Sequence, residues 1–240
     1  EILAMASIPE FNPNNISADM NNINSPFINR AITPYSVGSV FKPIVSACAL
    51  ENNVQLSYEC KGSIVVNGTT FRCNNNNIHG TVNMNSAMEE SCNCYFIALA
   101  QQFTSEELLS LCDNFGFGKS LELADNYVAK SGNLPSADSI NSPQSLANLS
   151  FGQGDLLASP LQLAVAYSCF ANGGYYRPPT LMKGIIDEKG KTIQKVKLPN
   201  GYRILNRGTV TKIDEILLNV VVNGNGQKAL SENTINHAKT

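Results

Sequence analysis

Charged residues, histidine and long apolar runs are all scarce in this chain, and each scarcity narrows the possible functions. Charged residues make up 15% of the 240 residues and the net charge is -2, so the sequence gives no electrostatic argument for a nucleic-acid partner. It contains no run of about 18 apolar residues, the minimum for a membrane-spanning helix. With His79 and His237 as the only histidines, a Ser-His-Asp triad is disfavoured. The chemistry is therefore expected on other side chains.

Among the residues that are present, the first candidates for catalysis are Ser39 and Lys42, three positions apart. On a helix this spacing places a hydroxyl and an amine on one face, one turn apart. A serine needs a base to become a nucleophile, and an amine can serve when it is neutral. The apolar segment 44–50 follows, so the sequence predicts a buried helix over residues 39–52. Its positive end is expected to favour the neutral form of Lys42.

Two further elements complete a set of three. Ser91-Cys92-Asn93 precedes the apolar run 95–100, and Lys239-Thr240 stands at the end of the sequence. A second hydroxyl can relay a proton, and the Asn93 amide can both donate to and accept from a peptide-like substrate. In this order the three pieces match the Ser-x-x-Lys, Ser-x-Asn and Lys-Thr-Gly elements of penicillin-binding proteins and β-lactamases.

On these residues the sequence resembles the transpeptidase domain of class B penicillin-binding proteins. Further stretches that match the family are 1–7, 9–14, 29–31, 79–80, 115–118, 152–154, 159–164 and 171–174. The resemblance implies an α+β fold in which an antiparallel sheet built from the chain ends packs on a mostly helical lobe. The expected parts of this single, partial domain, 1–240, are sheet-side segments 1–38 and 225–240 and a helical lobe over about 39–224.

The resemblance also implies a role for each motif residue. These roles are acylated nucleophile for Ser39, base for Lys42, proton shuttle for Ser91, binding of the acyl chain for Asn93, and binding of the substrate carboxylate for Lys239 and Thr240. No cofactor and no metal are expected. Because the family domain normally extends beyond both ends of this sequence, we expect the chain to be part of a larger protein.

The function implied is a peptidoglycan D,D-transpeptidase that cross-links stem peptides through an acyl-enzyme and is inhibited by β-lactams. The expected location is the extracytoplasmic face of the bacterial plasma membrane, with membrane contact only through an anchor outside these residues. The expected partners are stem peptides, β-lactam antibiotics, a glycosyltransferase and the cell-wall machinery.

Two alternatives stay open at this point. The first is a serine hydrolase of the same superfamily, either a β-lactamase or a D,D-carboxypeptidase; class D β-lactamases share Ser-x-x-Lys but usually have an apolar residue where Asn93 stands. The second is a non-catalytic β-lactam sensor or scaffold module. The intact Ser39, Lys42 and Ser91 argue against such a degenerate site.

Seven cysteines leave more than one interpretation. Cys60 and Cys73 flank a predicted hairpin over 63–72 with an Asn67-Gly68 turn, and such facing positions suit a disulfide. A zinc site would use Cys60, Cys73, His79, Cys92 and Cys94. Their spacing fits none of the usual zinc patterns, so zinc is disfavoured. The remaining cysteines lie on apolar helical faces and are predicted to be core residues: Cys48, Cys112 and Cys169.

Local patterns predict most of the other elements. The predicted helices cover 84–90, 94–103, a segment that opens with a capping box at Thr104–Glu107 and runs to 114, a segment from Ser159-Pro160 to Gly173-Gly174, and 208–222. The predicted strands cover 1–8, a hairpin of 180–187 with 191–198, and a segment leading to Lys239. Segment 10–34 is predicted to be a polar loop, and segment 119–150 to be rich in loops.

Overall fold

The computed structural model describes residues 2–196, 200–232 and 234–240. Its helices are α1 Lys42–Glu51, α2 Met84–Glu89, α3 Asn93–Ala100, α4 Ser105–Asn114, α5 Pro143–Ser150, α6 Pro160–Ala171 and α7 Arg207–Val222. None of these helices combines the length and the apolarity that crossing a membrane requires, a finding that covers the described residues alone.

The strands are short and pair antiparallel, two at a time. They are β1 Tyr35–Ser36, β2 Tyr58–Cys60, β3 Ser63–Val66, β4 Thr69–Arg72, β5 Gly80–Val82, β6 Leu121–Ala124, β7 Tyr127–Ala129, β8 Leu157–Ala158, β9 Tyr175–Tyr176, β10 Gly184–Ile186, β11 Thr192–Lys195 and β12 Tyr202–Arg203. The pairs are β1 with β8, β2 with β5, β3 with β4, β6 with β7, β9 with β12, and β10 with β11. Helices and short antiparallel strands together make an α+β fold, as predicted.

Helix α1 is the centre of the core. Ile44, Val45 and Ala47 are completely buried, and α1 packs against α3, α4 and α7. A helix that is apolar all round cannot leave a face in water, so it is enclosed by its neighbours. The core therefore holds the start of α1, where Lys42 lies, in a fixed position.

The structure confirms the predicted helix caps and the predicted hairpin turn. Thr104 Oγ1 accepts from the Glu107 N–H at 3.2 Å, while the Thr104 N–H donates to Glu107 Oε2 at 2.7 Å, which completes the capping box of α4. Ser159 caps α6 in the same way. Asn67 and Gly68 take φ values of 44° and 80°, the left-handed pair that a two-residue hairpin turn requires between β3 and β4.

Several predicted elements differ in the structure. Segment 119–150 contains the hairpin β6–β7 and helix α5 in addition to loops. The strand predicted over 1–8 and the one predicted to lead to Lys239 are not formed in the described residues. A strand needs a neighbouring strand to pair its backbone groups; near Lys239, the Ala238 N–H instead donates to Leu217 O of α7 at 3.3 Å. Part of the predicted strand 191–198 lies outside the described residues.

Candidate active site

Ser39 lies in a 3-10 turn, Gly38–Phe41, that leads directly into α1. The helix predicted from Ser39 therefore begins as an α-helix only at Lys42. Gly38 has a φ of +64° and donates its N–H to Gly152 O at 2.7 Å. A Cβ on Gly152 would stand 2.1 Å from Gly38 O, so only glycine fits there. The Gly152-x-Gly segment thus supports the turn that presents Ser39.

A second contact fixes the same turn from helix α6. The Tyr167 hydroxyl donates to Val40 O at 2.7 Å. This partly buried hydrogen bond resists displacement because breaking it leaves a polar group without a partner. Ser39 is therefore held between α1, α6 and the Gly152 segment.

Lys42, the first residue of α1, is completely buried and points its amine at the Ser-x-Asn turn. Nζ donates to Ser91 O and to Asn93 Oδ1, both at 2.7 Å, and to Ser91 Oγ at 3.1 Å. Nζ also lies 5.4 Å from the centroid of the Phe96 ring. The amine is thus fully surrounded by acceptors and an aromatic face.

Ser91 is the meeting point of the site. Its hydroxyl is 3.2 Å from Ser39 Oγ and 3.2 Å from Thr240 O, and it accepts from Lys42 and from Lys239 Nζ, the latter at 2.8 Å. Ser91 has a φ of +54°, a conformation that side-chain-bearing residues rarely adopt. Such a backbone persists only where the surroundings hold it.

Asn93 opens helix α3 and links the site to the β3–β4 hairpin. Its Oδ1 accepts from Lys42, and its Nδ2 donates to Arg72 O at the end of β4, at 3.1 Å. Both ends of the amide are therefore in use, and its orientation is fixed by one donor and one acceptor.

Lys239 reaches the site from beside α7. It is 8% exposed, and its Nζ also contacts the carbonyl oxygen of Thr240. Thr240 meets Ser91 through that same carbonyl oxygen. The segment before it is anchored to α7 by the Ala238 hydrogen bond and by His237 Nε2, 3.3 Å from Asp214 Oδ1.

Burial is the main electrostatic influence on both lysines. Burial first, and then the positive charge of Lys239, lower the pKa of Lys42 to about 7 against the opposing effect of nearby thiols. Burial lowers the pKa of Lys239 to about 8. The sequence pattern suggested the helix end as the reason for a neutral Lys42; the larger cause is loss of hydration. Near pH 7 a substantial fraction of Lys42 is therefore uncharged.

The structure brings all six predicted site residues together around the Ser91 hydroxyl. Lys42 reaches Ser39 through Ser91 Oγ, because the hydrogen bonds among these described residues run from Lys42 to Ser91 and from Ser91 to Ser39. Gly152 and Tyr167 support the site in ways that sequence reasoning missed. The Gly-x-Gly spacing was the available signal for Gly152, whereas nothing marked Tyr167.

Cysteines lie directly behind this site. Cys60 and Cys73, for which the sequence left a disulfide open, are free thiols with their sulfurs 3.7 Å apart. Cys73 Sγ also lies 3.7 Å from Cys92 Sγ and 3.5 Å from Cys94 Sγ. The disulfide that the sequence left open is not formed in this structure, where Cys73 belongs to a cluster of thiols rather than to a pair.

Comparison with known proteins identifies the family. The model of the penicillin binding protein transpeptidase domain matches residues 1–240. The chain belongs to this family. Stage V sporulation protein D of Bacillus subtilis is 31% identical over 240 residues, covering 97% of this chain and 36% of the relative. A peptidoglycan D,D-transpeptidase FtsI of Escherichia coli is 31% identical over 189 residues, covering 76% of this chain and 30% of FtsI.

Solved structures agree on the fold. The D,D-transpeptidase domain of a peptidoglycan glycosyltransferase from Eggerthella lenta superimposes with a TM-score of 0.89 at 25% identity, over 99% of this chain and 62% of that one. The imipenem acyl-enzyme complex of penicillin-binding protein A from Mycobacterium tuberculosis superimposes with a TM-score of 0.85 at 23% identity, over 97% and 57%. The relatives identify a class B transpeptidase domain, and the chain spans about a third of the curated ones.

Proposed function

We propose that this chain carries the acylation site of a peptidoglycan D,D-transpeptidase, with Ser39 as the nucleophile. The observation that carries the proposal is the hydrogen-bonded series from buried Lys42 through Ser91 to Ser39. Relatives named peptidoglycan D,D-transpeptidases, FtsI among them, support the same activity. Residues 1–240 would form part of one transpeptidase domain.

In the acylation step, Ser39 Oγ attacks the carbonyl carbon of the D-Ala–D-Ala peptide bond. The hydroxyl proton passes by way of Ser91 Oγ to neutral Lys42, since both hydroxyl hydrogens can rotate between the acceptors around them. When the tetrahedral intermediate collapses, the carbon–nitrogen bond breaks and the proton returns through Ser91 to the departing amine. Free D-Ala and an ester on Ser39 result.

In the second step, an amine of a neighbouring stem peptide attacks that ester. Its proton passes back along the same hydroxyl and amine groups, and Ser39 leaves with a proton of its own. The new amide is the cross-link. Lys42 thus alternates between base and acid, a task that a pKa of about 7 suits near neutral pH.

Lys239 and Asn93 would bind the substrate on either side of the reacting carbonyl. The Lys239 ammonium, 2.8 Å from Ser91 Oγ, is placed to attract the terminal carboxylate of the donor peptide. Asn93 would contact the acyl chain with its amide. A β-lactam presents both a carboxylate and a reactive amide, so it would acylate Ser39 in the same way and be released slowly.

The proposed function also implies a location for the site. Family relatives act in cell-wall synthesis, so the site would work on the extracytoplasmic face of a bacterial plasma membrane, beside a glycosyltransferase that supplies glycan strands. Peptidoglycan stem peptides would be its substrates.

The test is covalent labelling of the full-length protein with a fluorescent penicillin. We expect a stable label that Ser39→Ala abolishes and that the matched control Ser36→Ala, at an exposed strand position, retains. Release of the label within seconds would indicate a β-lactamase instead. Absence of label on a folded protein would contradict the proposal. Incubation with a D-Ala–D-Ala peptide and an acceptor amine then separates amide formation from hydrolysis.

A further inference from the structure

Four metal-ligating side chains converge behind the Ser-x-Asn turn. The sulfurs of Cys60, Cys73 and Cys92 and a ring nitrogen of His79 all lie within 4.8 Å of one another. Cys60 Sγ is 3.7 Å from Cys73 Sγ and 3.3 Å from His79 Nδ1, and Cys73 Sγ is 3.7 Å from Cys92 Sγ. The thiols are buried and His79 is half-buried.

We propose that Cys60, Cys73, His79 and Cys92 form a tetrahedral site for Zn²⁺ that holds the Ser91–Asn93 turn in its active position. Zn–S bonds of about 2.3 Å at tetrahedral angles place two thiolates about 3.8 Å apart. The observed separations of 3.7 Å match that edge length. They are far longer than the bond of about 2.05 Å that a disulfide would require.

The donor set fits zinc chemically. Three thiolates and one imidazole form a closed structural zinc set, and soft sulfur ligands disfavour Mg²⁺ or Ca²⁺. On binding, the metal displaces the three thiol protons to solvent, so the site carries a net charge of -1 with a neutral imidazole. The charge is thus far smaller than three buried thiolates would bring on their own.

The segment around the site buries few apolar side chains of its own. Residues 58–82, which we call the hairpin lobe, consist of the two-stranded pairs β2–β5 and β3–β4. Besides Gly62, its buried side chains are Cys60, Val66, Cys73 and Val82. Isolated two-stranded pairs are marginally stable in water, and small units without a core commonly rely on a metal or disulfides. Two of the four buried side chains are themselves proposed ligands.

The site is linked to the catalytic groups by the chain itself. Cys92 lies between Ser91 and Asn93, both of which contact Lys42. Arg72, the neighbour of Cys73, accepts from Asn93 Nδ2 at 3.1 Å through its carbonyl oxygen. A metal held by Cys73 and Cys92 therefore clamps the turn from both sides. The left-handed backbone of Ser91 is itself the C-terminal cap of α2, in which the Ser91 and Cys92 N–H groups donate to Met88 O and Ala87 O at 3.2 and 2.9 Å.

Cys94 marks the limit of the site. Its sulfur lies 3.5 Å from Cys73 Sγ but does not belong to the four mutually close donor atoms. Zinc in a structural site takes four ligands. Cys94 is therefore assigned as a buried thiol beside the metal. Substituting Cys94 distinguishes this four-ligand set from a set that includes the Cys94 sulfur.

The first experiment measures metal directly on the full-length protein, purified without a histidine tag under reducing conditions. Elemental analysis is expected to find one zinc per chain. Metal-stripped wild type titrated with Co²⁺ is expected to develop the intense visible bands of tetrahedral cobalt and a thiolate-to-cobalt charge-transfer band. Because both readouts use wild type, they stand even if variants fail to fold. Absence of bound zinc together with no cobalt spectrum, or iron in place of zinc, would overturn the assignment.

Variants then identify the ligands. Cys73→Ser and His79→Ala are expected to lose the zinc. Cys94→Ala and Cys112→Ala, the latter in the core helix α4, are expected to keep one zinc per chain. Retention of zinc by the first pair, or its loss from Cys94→Ala, would contradict the four-ligand assignment.

The proposed effect of zinc on the active site rests on the proposed function, and it is measured separately as the rate of penicillin acylation. Zinc removal is expected to slow penicillin acylation at least tenfold, with recovery on adding Zn²⁺, while Cys112→Ala acylates like wild type. Acylation unaffected by zinc removal would refute the positioning role. If wild type binds zinc but is never acylated, the proposed function fails while the metal site stands.

Discussion

Helix α1 buries eight of its ten residues, whereas the hairpin lobe, residues 58–82, buries four side chains and one glycine. The helix is held by apolar packing against α3, α4 and α7. The lobe has its strand pairs, a small apolar contact of Val66 with Ile97 and Ala147, and the proposed metal ligands. Yet Lys42 comes from the first region, while Asn93, one of its acceptors, is tied to the second through Arg72. One hydrogen-bonded site therefore depends on two regions that are stabilised in different ways.

The largest expected effect concerns Lys42, the catalytic group that helix α1 contributes. Lys42→Met keeps the length and burial of the side chain but removes the base. We expect penicillin acylation to slow by about 10³-fold, in the range that general-base catalysis contributes. The thermal unfolding midpoint should stay close to that of wild type. Lys61→Met, at an exposed lobe position, is the matched control and should acylate normally. A near-normal rate for Lys42→Met would remove this residue from the mechanism.

The second prediction compares the two kinds of packing directly. Ile44→Ala creates a cavity at a completely buried position of α1 and should lower the free energy of unfolding by about 3 kcal/mol. Val65→Ala, at a position of β3 that is 64% exposed, should change it by less than about 0.5 kcal/mol. Urea unfolding measures both. Similar costs at the two positions would break the proposed contrast.

The third prediction concerns pH. Lys42 acts as a base only when neutral, and burial lowers its pKa to about 7, so acylation should slow by about tenfold per pH unit below that value. Above about 8, Lys239 loses its charge and the rate should fall again as carboxylate binding weakens. The second-order acylation rate between pH 5 and 10 should therefore be bell-shaped. A rate that increases below pH 7 would contradict the assigned roles.

The smallest expected effect distinguishes a loss of folding stability from a loss of positioning of the active-site residues. Gly68 and Gly190 have φ values of +80° and +78°, and a Cβ on either would meet nothing within 4 Å. Alanine at each position should therefore cost about 1 kcal/mol through backbone strain alone. Gly68→Ala strains the hairpin lobe and should also slow acylation by a few fold, whereas Gly190→Ala, between β10 and β11, should not. Equal acylation rates would show that the lobe does not position the site.

The parts of the fold specified by neighbouring residues could be predicted from sequence. The capping box of Thr104 and Glu107 and the Asn67-Gly68 turn depend on residues a few positions apart, so their patterns are visible. The terminal strands could not be predicted in the same way, because a strand forms only where another strand lies beside it. Near Lys239 the backbone bonds to α7 instead.

In the site, too, features set by neighbouring residues could be predicted from sequence, whereas features set by tertiary contacts could not. The Ser-x-x-Lys spacing located Ser39 and Lys42, and the family resemblance added Ser91. The sequence argument against zinc relied on the spacing of Cys60, Cys73, His79 and Cys92, which matches no common pattern. Pairing of β2 with β5 places Cys60 opposite Gly80, next to His79, and so brings distant ligands together. Spacing along the chain carries no information about such tertiary contacts.

The position of the penicilloyl group identifies the nucleophile directly. Ser39 Oγ and Ser91 Oγ are only 3.2 Å apart, so labelling alone does not say which of them is the nucleophile. Peptide mapping by tandem mass spectrometry after reaction of the full-length protein with benzylpenicillin resolves them. We expect one adduct per chain, on Ser39. An adduct on Ser91, or a folded protein with no adduct, would contradict it.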